Sequence, residues 1–571
     1  MPAKLKSYFL SPKFYLFLIL IIASFLRFYN FKNIPPGLYP DEAMNGNNAL
    51  EALSTHHFKV FYPENNGREG LFINIQAIFL WLFKITEPWV LRLPSALFGI
   101  LTVLGIYFLA KELFGYEIRN EYETTEWLRN TKRYETTKIK FRNFVKNSYF
   151  VENFVIRREG IALLSSFLLA TSFWHINFSR IGFRAIMAPF FLVWGLYFLL
   201  KTFRQIQEKK SSKSYILNSI FSGILYGLGF YSYIAYRATP LLILIILIYF
   251  FIRSIKEGWR KQLLLSTFYF LLSTFIVALP LGIYFLKNPQ DFFGRTTQIS
   301  VFNSPTLIKD LGLNILKTFG MFNFVGDFNW RHNYSGRPEL FWPVGILFII
   351  GTILGLYSIF KKTNIKAQIP NQIQNSNDKS FHFLDFELDL KFGFWILFFW
   401  LIIASLPVVI SNESLPHALR AILMAPAVFI LAGCGGIWLY EFIKSKITTH
   451  NLIVLNFFTA FFLIILICES YLTYFVLWAK NPNVAGAFNQ DWTRIGHELK
   501  ATCGDGCDKL PKYVIVEAGG VDVRGIPMPA QTVMFLTDTF TLKKQNAKNL
   551  HYVLPNQKDQ IPQNALVVEI K

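Results

Sequence analysis

Long apolar runs divide this chain, and each is close to the length that a helix needs to cross a lipid bilayer. A membrane-spanning helix requires roughly 20 mainly apolar residues. The runs that approach this length are residues 13–30, 89–110, 160–177, 184–201, 214–232, 238–253, 263–286, 341–360, 393–411, 419–441 and 452–477. The sequence therefore predicts an α-helical polytopic membrane protein with about 11 transmembrane helices.

Composition and charge support membrane topology rather than nucleic-acid binding. Apolar residues make up 53% of the chain, the mean hydropathy is +0.35 and the formal net charge is +21. A nucleic-acid-binding protein concentrates Lys and Arg on one soluble face, whereas here the basic residues lie between apolar runs. The sequence therefore predicts membrane lipid as a partner and does not predict nucleic-acid binding.

A shorter apolar run at 71–85 determines the sidedness of everything after it. Cytoplasmic loops collect Lys and Arg, and the strongly basic connections are 201–213, 253–261, 361–366 and 444–446. These lie inside only if 71–85 does not cross the membrane, so we interpret it as an interfacial helix. The N-terminus is then cytoplasmic, and 30–88 is a large external loop.

The first apolar run could be a cleaved signal peptide or a retained span. It ends near Arg27 and Lys32 and has no small-residue cleavage site after it, which favours a retained span.

Two domains are expected. Residues 1–477 form the transmembrane domain, with a charged cytoplasmic insert at 111–159 and a polar cytoplasmic linker at 364–391. Residues 478–571 are mixed in polarity and contain strand-like runs at 513–517 and 566–570, which predicts a small extracytoplasmic α/β domain that leans on the membrane domain. Cys503 and Cys507 flank a tight turn in this domain, and their spacing is compatible with either a disulfide or free thiols.

The external loop at 30–88 carries adjacent carboxylates close to the predicted membrane surface. Pro35, Pro36 and Gly37 interrupt the first span, and Pro40 then places Asp41 and Glu42 at the start of a helical stretch that reaches about Leu53. One interpretation is structural: Asp41 caps the helix and Glu42 is a favourable first-turn charge. The other is catalytic.

Basic, aromatic and imidazole side chains recur in the other segments on the same predicted side. Arginine grips phosphate through two parallel hydrogen bonds, although a single Arg near a membrane is more often a lipid-headgroup contact. The candidate substrate-binding residues are Arg68, Glu69, His175, Arg180, Arg184, Tyr233, Arg237, His417 and Arg420. A carboxylate facing several cations suits sugar transfer from a lipid phosphate, which needs a base for the acceptor and positive charge for the departing phosphate.

Several motifs together resemble one enzyme family. The segments 36–42 (PGLYPDE), 66–71 (NGREGL), 90–99 (VLRLPSALFG) and 175–180 (HINFSR) look like the bacterial family 39-type glycosyltransferases. These are relatives of the protein O-mannosyltransferases and of the lipid A aminoarabinose transferase. The resemblance extends through 231–240 and 415–421, and so covers most of the transmembrane domain but not the 111–159 insert or the C-terminal domain.

The resemblance implies the GT-C fold, interfacial helices in the first external loop, and inverting transfer from a polyprenyl-phosphate-linked monosaccharide to a glycan, lipid or protein acceptor. The catalytic base of the family maps onto Asp41, and we assign Glu42 to positioning. Some relatives carry an acidic residue where this chain has Arg180 and Arg184, so we assign no metal ligands and leave a divalent metal open. The alternative from another class is a lipid-linked-glycan flippase or a transporter, which predicts charged or broken helices at the membrane midplane.

Overall fold

The computed structural model describes residues 11–115, 149–298, 301–361, 391–448, 451–502 and 510–571. The helices are α1 (Pro12–Phe28), α2 (Pro40–Thr55), α3 (Gly70–Phe83), α4 (Pro88–Leu113), α5 (Tyr149–Ala170), α6 (Phe173–Phe178), α7 (Met187–Gln207), α8 (Ser212–Gly229), α9 (Thr239–Glu257), α10 (Arg260–Lys287), α11 (Pro289–Gln298), α12 (Leu307–Gly320), α13 (Trp342–Phe360), α14 (Lys391–Val409), α15 (Ala425–Lys446), α16 (Asn451–Tyr471), α17 (Pro482–Ala487), α18 (Gln490–Ala501), α19 (Gln531–Thr537) and α20 (Leu542–Lys548). The strands are β1 (Phe61–Tyr62), β2 (Arg68–Glu69), β3 (Lys512–Val516), β4 (Asp522–Val523), β5 (Ile526–Pro527), β6 (Leu550–Val553) and β7 (Leu566–Ile570).

The predicted helical membrane architecture is confirmed, while the number of crossings stays a prediction. Eight helices of the described residues are long and apolar enough to span a membrane. The other three predicted spans are also helical: α1 has 17 residues, residues 160–177 divide between α5 and α6, and α8 carries several Ser and Asn side chains. The 14-residue α3 is about 21 Å long, too short for a hydrocarbon core of about 30 Å.

Most of the apolar core lies among the membrane helices, and small residues let some of them approach closely. One continuous cluster includes buried side chains of α4, α5, α7, α14 and α15. At the crossing of α13 and α15, a Cβ atom added to Gly351 would lie 1.9 Å from the Leu431 carbonyl oxygen. A Cβ at Gly435 would lie 2.0 Å from the Leu347 oxygen. Only glycine permits this separation of the two helix backbones.

The segment between α1 and α4 builds a small folded unit of its own. Pro40 begins α2, because the ring fixes φ at a helical value and the preceding Tyr39 takes the extended conformation of a helix cap. β1 and β2 pair antiparallel, with Phe61 opposite Glu69 and Tyr62 opposite Arg68. α3 follows β2 directly, so the hairpin and the short apolar helix fix Arg68 and Glu69 between them.

The C-terminal residues form a parallel three-stranded sheet in the order β6-β3-β7. This segment packs against the unit that contains α2: Phe535 and Leu536 are buried with Leu38 and Leu91 in one apolar cluster. Asn47 of α2 donates to the Gln531 side chain at 2.9 Å. The 478–571 domain boundary stays a prediction, as do the sidedness of the termini and the location of the insert, most of which lies outside the described residues together with Cys503 and Cys507.

Candidate active site

A polar cavity of about 400 Å³ lies where the unit containing α2 meets the membrane helices and the C-terminal segment. It is lined by Tyr39, Pro40, Asp41, Asn45, Asn65, Asn66, Arg68, Phe183, Arg184, Ala185, Tyr233, Leu419, Asn489, Trp492, Gly519, Gly520, Val521, Met528 and Pro529. Four of the predicted site residues therefore share one cavity, although the chain separates Asp41 from Tyr233 by almost two hundred positions.

Asp41 lies at the cavity wall in the first turn of α2. Its Oδ1 atom accepts a hydrogen bond from Asn65 Nδ2 at 2.5 Å, and no described residue donates to Oδ2. The structural interpretation of Asp41 as the helix cap is wrong, because Tyr39 is the cap and Asp41 is the second helical residue. The carboxylate is thus held by one neighbour and keeps one oxygen for a ligand.

Glu42 does not line the cavity and is fully buried. Its carboxylate accepts from Arg92 Nε at 2.9 Å and Arg92 Nη2 at 3.0 Å, and it also accepts from the Gly182 backbone N–H at 2.7 Å. Arg92 donates further to the Pro35 and Gly37 carbonyls, at 2.7 Å each. Glu42 and Arg92 therefore join the loop before α2 to α4, and Glu42 occupies a positioning role one residue from Asp41.

Arg68 presents a buried guanidinium at the cavity. Nη1 donates to Asn45 Oδ1 at 2.7 Å, Nη2 donates to Asn48 Oδ1 at 2.5 Å, and Nε donates to the Glu64 carbonyl at 3.4 Å. All three acceptors are neutral oxygens. Burial and the nearby charge of Arg184 lower the pKa of Arg68 to about 10, so the group stays cationic at neutral pH with no carboxylate bonded to it.

Glu69 organises two further arginines beside Arg68. Its carboxylate accepts from Arg184 Nε at 2.9 Å and from Arg237 Nη2 at 3.4 Å. Arg184 lines the cavity and lies 6.0 Å from the ring centre of Tyr233, which lines it too. Arg237 is turned toward Phe285 and Phe292. The single negative charge of Glu69 is shared by the guanidinium groups of Arg184 and Arg237, so it does not neutralise both of them.

His175 and Arg180 lie outside the cavity lining and hold the end of α1. Arg180 donates to the backbone carbonyls of Leu26, Arg27, Tyr29 and Ile34 at 2.7–3.3 Å. His175 Nδ1 lies 2.7 Å from Arg27 Nη2. Arg180 therefore satisfies carbonyl groups that the ending helix leaves without partners. These contacts give the chain its path from α1 into the loop that carries Asp41.

His417 and Arg420 belong to the loop between α14 and α15, of which Leu419 reaches the cavity. Arg420 Nη2 donates to Glu413 Oε2 at 2.6 Å within the same loop. His417 stacks on His332, with ring centres 4.9 Å apart, beside Asp327. Neither predicted residue lines the cavity: Arg420 is bonded within its own loop, and His417 contacts the loop between α12 and α13.

Sequence reasoning missed several residues of this site. Arg92 could have been found, since an arginine inside an apolar run is costly unless it is paired. Asn45, Asn48 and Asn65 carried no signal, because an amide in a polar loop is ordinary until its partner is known. Trp492 and the 519–521 loop carried none either, since only the tertiary fold brings the C-terminal segment to Asp41.

Among the described residues, Asp41 does not belong to a cluster of three or more metal-ligating side chains. Among the described residues, the side chains of His, Cys, Asp or Glu close enough together to share an ion are Asp327, His332 and His417, and Asp41 is not among them. The residues nearest Asp41 in the lining are amides, Arg68 and the phenol of Tyr39, whose pKa is raised by burial and by the Asp41 charge. We derive no step through a metal at this site.

Comparison with known proteins identifies similar solved structures. The chain is similar to the oligosaccharyltransferase of Archaeoglobus fulgidus tethered to an acceptor peptide, with 14% identity, a TM-score of 0.49, and coverage of 96% of this chain and 65% of that one. It is similar to ArnT of Cupriavidus metallidurans bound to undecaprenyl phosphate, with 13% identity, a TM-score of 0.46, and coverage of 97% and 89%. These neighbours are GT-C glycosyltransferases.

A third similar structure is the Pmt1–Pmt2 protein O-mannosyltransferase complex of S. cerevisiae bound to its sugar donor, with 16% identity, a TM-score of 0.33, and coverage of 50% of this chain and 34% of that one. The chain spans less than two thirds of the length of the archaeal structure. No protein-family model and no curated protein matches the sequence.

Proposed function

We propose that this protein is an integral membrane glycosyltransferase that moves a sugar from a polyprenyl-phosphate-linked monosaccharide to an acceptor outside the cytoplasm, with inversion at the anomeric carbon. The observation that carries the proposal is that Asp41, Arg68 and Arg184 line one cavity. A base and two phosphate-binding cations are the groups that such a transfer needs.

In the proposed reaction, Asp41 takes the proton of an acceptor hydroxyl on the free Oδ2 atom. The acceptor oxygen bonds to the anomeric carbon as the bond from that carbon to the phosphate oxygen breaks, and its electron pair leaves with the lipid phosphate. Phosphate is a good leaving group that needs no proton, so a single carboxylate is enough. This differs from glycoside hydrolases, which require a second carboxyl group as acid.

The arginines supply the charge that the departing phosphate requires. Arg68 is bonded only to neutral oxygens, and Glu69 is shared between Arg184 and Arg237. These three arginines carry three positive charges against the two negative charges of Glu69 and Asp41, so the remaining net positive charge favours a phosphate beside Arg68 and Arg184. The burial of Arg68 strengthens that attraction, because electrostatic interactions are less screened away from water.

The C-terminal segment belongs to the same proposed site, since Trp492, Gly520 and Pro529 line the cavity together with Asp41. Residues that line one cavity lie on one side of the membrane. With the basic loops inside, as the positive-inside rule requires, the N-terminus is cytoplasmic and both Asp41 and the C-terminal domain are external. The acceptor is a glycan, a lipid or a protein, and the sugar is a hexose or a pentose.

The test is transfer from a panel of radiolabelled polyprenyl-phosphate sugars in membranes that contain wild-type protein or Asp41→Asn. Asp559→Asn, an exposed carboxylate far along the chain, is the matched control. Wild type and the control should release polyprenyl phosphate and label an acceptor, and Asp41→Asn should be slower by about 10²–10⁴-fold. Equal turnover by Asp41→Asn would refute the assignment of the base.

The same membranes test the transporter alternative. If no donor turns over, while reconstituted vesicles move a lipid-linked sugar or a solute across the bilayer, the transferase proposal fails. Analysis of the product's anomeric configuration tests inversion separately, because a single displacement inverts the anomeric carbon, whereas retention would indicate two successive displacements through a covalent glycosyl-enzyme intermediate.

A further inference from the structure

Three metal-ligating side chains meet outside the cavity, where two loops approach each other. Asp327 and His332 come from the loop between α12 and α13, and His417 comes from the loop between α14 and α15. Both imidazoles present Nδ1 to the same carboxylate oxygen: His332 Nδ1 lies 3.0 Å from Asp327 Oδ2, and His417 Nδ1 lies 3.8 Å from it. The ligand atoms all lie within 4.8 Å of one another.

Two of these separations are close to those between ligand atoms of a tetrahedral zinc site. Zinc binds imidazole nitrogen and carboxylate oxygen at about 2.0–2.2 Å, so two ligand atoms on one tetrahedron lie about 3.3 Å apart. The observed 3.0 and 3.8 Å distances straddle that value. Two nitrogen donors and one oxygen donor favour Zn²⁺ over Mg²⁺ or Ca²⁺, which prefer oxygen ligands alone.

Hydrogen bonds already orient the ligands. Asp327 Oδ1 accepts from the Asn329 backbone N–H at 2.8 Å, and Oδ2 accepts from the Ala418 N–H at 2.9 Å. Glu339 Oε1 accepts from the Asp327 N–H at 3.1 Å. Such outer contacts fix ligand geometry in metal sites. Asp327 and His332 are buried, while the His417 side chain is 12% exposed, so the group is in partial contact with solvent.

We propose that Asp327, His332 and His417 bind a Zn²⁺ ion that joins these two loops. On binding, the proton on Nδ1 of the neutral His332 imidazole moves to Nε2, so that Nδ1 binds the ion as a neutral ligand and the hydrogen bond to Asp327 Oδ2 is replaced by bonds from both atoms to the ion. The site is structural and distinct from the proposed transfer chemistry, so it stands whether or not the protein is a transferase.

The site is positioned to stabilise two parts of the cavity wall. Arg331, next to His332, stacks on the Tyr39 ring with its guanidinium carbon 3.7 Å from the ring centre. Leu419, two residues after His417, lines the cavity as Tyr39 does. An ion that fastens the two loops together therefore restrains both Arg331 and Leu419.

The experiment measures metal directly in the purified full-length protein. Zn²⁺ is added, excess is removed, and bound zinc is determined by mass spectrometry. Wild type should hold one ion per chain, and His332→Gln and His417→Gln should each bind Zn²⁺ at least about ten-fold more weakly. His497→Gln, an exposed histidine paired with Glu87, is the matched control and should bind like wild type.

Further variants test whether the bound zinc is held by the two histidines or by the cysteines of the C-terminal segment. Changing Cys503 and Cys507 together to Ser should leave the zinc content unchanged; loss of zinc there, or its retention in both histidine variants, would overturn the proposal. If the histidine variants do not fold, Co²⁺ added to wild type decides the matter. A visible absorption spectrum of tetrahedral Co²⁺ that Zn²⁺ displaces is expected, and its absence would also overturn the proposal.

Discussion

Asp41 and Glu42 are neighbours of identical charge, and we expect their amide variants to fail in opposite ways. Asp41→Asn should lose transfer while keeping stability, because the carboxylate lines the cavity and accepts one hydrogen bond, which an amide oxygen can also accept. Glu42→Gln should lose stability, because Glu42 and Arg92 are an ion pair in which neither side chain is exposed.

The expected loss of stability depends on which buried groups each substitution leaves without a partner. Glu42→Gln leaves the Arg92 charge buried without its counter-ion, and breaking one partner of a buried pair costs about 3–5 kcal/mol. Glu42→Ala also removes the acceptor of the Gly182 N–H, which adds about 1–3 kcal/mol. These are large fractions of a total stability of about 5–15 kcal/mol. Asp41→Asn should cost about 0.5 kcal/mol or less, as most changes outside packed or paired positions do.

The assay is thermal unfolding in detergent alongside radiolabelled transfer in membranes, for wild type and all three variants. We expect the unfolding temperature to fall in the order Asp41→Asn, Glu42→Gln, Glu42→Ala, with Asp41→Asn near wild type. A Glu42→Gln protein that unfolds at the wild-type temperature would refute the reasoning from the buried pair. A strongly destabilised Asp41→Asn protein would show that Asp41 supports the fold of α2 rather than the reaction.

Three further predictions test other parts of the molecule. Arg68→Ala should raise the KM for the donor lipid by about ten-fold to a hundred-fold, as loss of a charged hydrogen bond does, while the exposed Arg494→Ala should not. Hydrogen bonds from His497 and Lys500 lower the pKa of Glu87 from an ordinary 4.5 to about 2. The stability that Glu87 contributes should therefore be complete above pH 4.5 and fall as the pH drops toward 2. Unfolding measurements over this pH range should find a weaker dependence in Glu87→Gln. Gly46→Ala places a Cβ 2.6 Å from the Phe535 ring, so it should lower stability by about 1–3 kcal/mol in thermal unfolding.

The helices were predictable because apolar length is written directly in the sequence. All eleven predicted spans are helical in the structure, and the 71–85 run forms a helix of 14 residues, shorter than a span. The helix start at Pro40 was predictable as well, since proline fixes its own backbone and that of the residue before it. What the pattern missed was the identity of the cap, because Tyr39 carries no capping side chain of the usual type.

The candidate site was predictable only in part. Asp41 and Arg68 stood out because charge in an external loop of a membrane protein is conspicuous. Arg180 stood out for the same reason, yet it bonds to backbone carbonyls at the end of α1. Charge alone does not distinguish a residue that meets a ligand from one that holds a turn, since both need a guanidinium with several acceptors.

The sequence by itself determined the membrane helices and the carboxylate at the start of α2, because the length of an apolar run and the effect of a proline on the backbone are both local properties. Only the tertiary structure decided the division of labour between Asp41 and Glu42, since adjacent residues on a helix face different directions and their surroundings come from distant segments. The Glu42 carboxylate is paired with Arg92, whereas the Asp41 carboxylate lines the cavity that the C-terminal segment helps to form and is open to a ligand. These contacts join positions tens to hundreds of residues apart, and no local pattern encodes them.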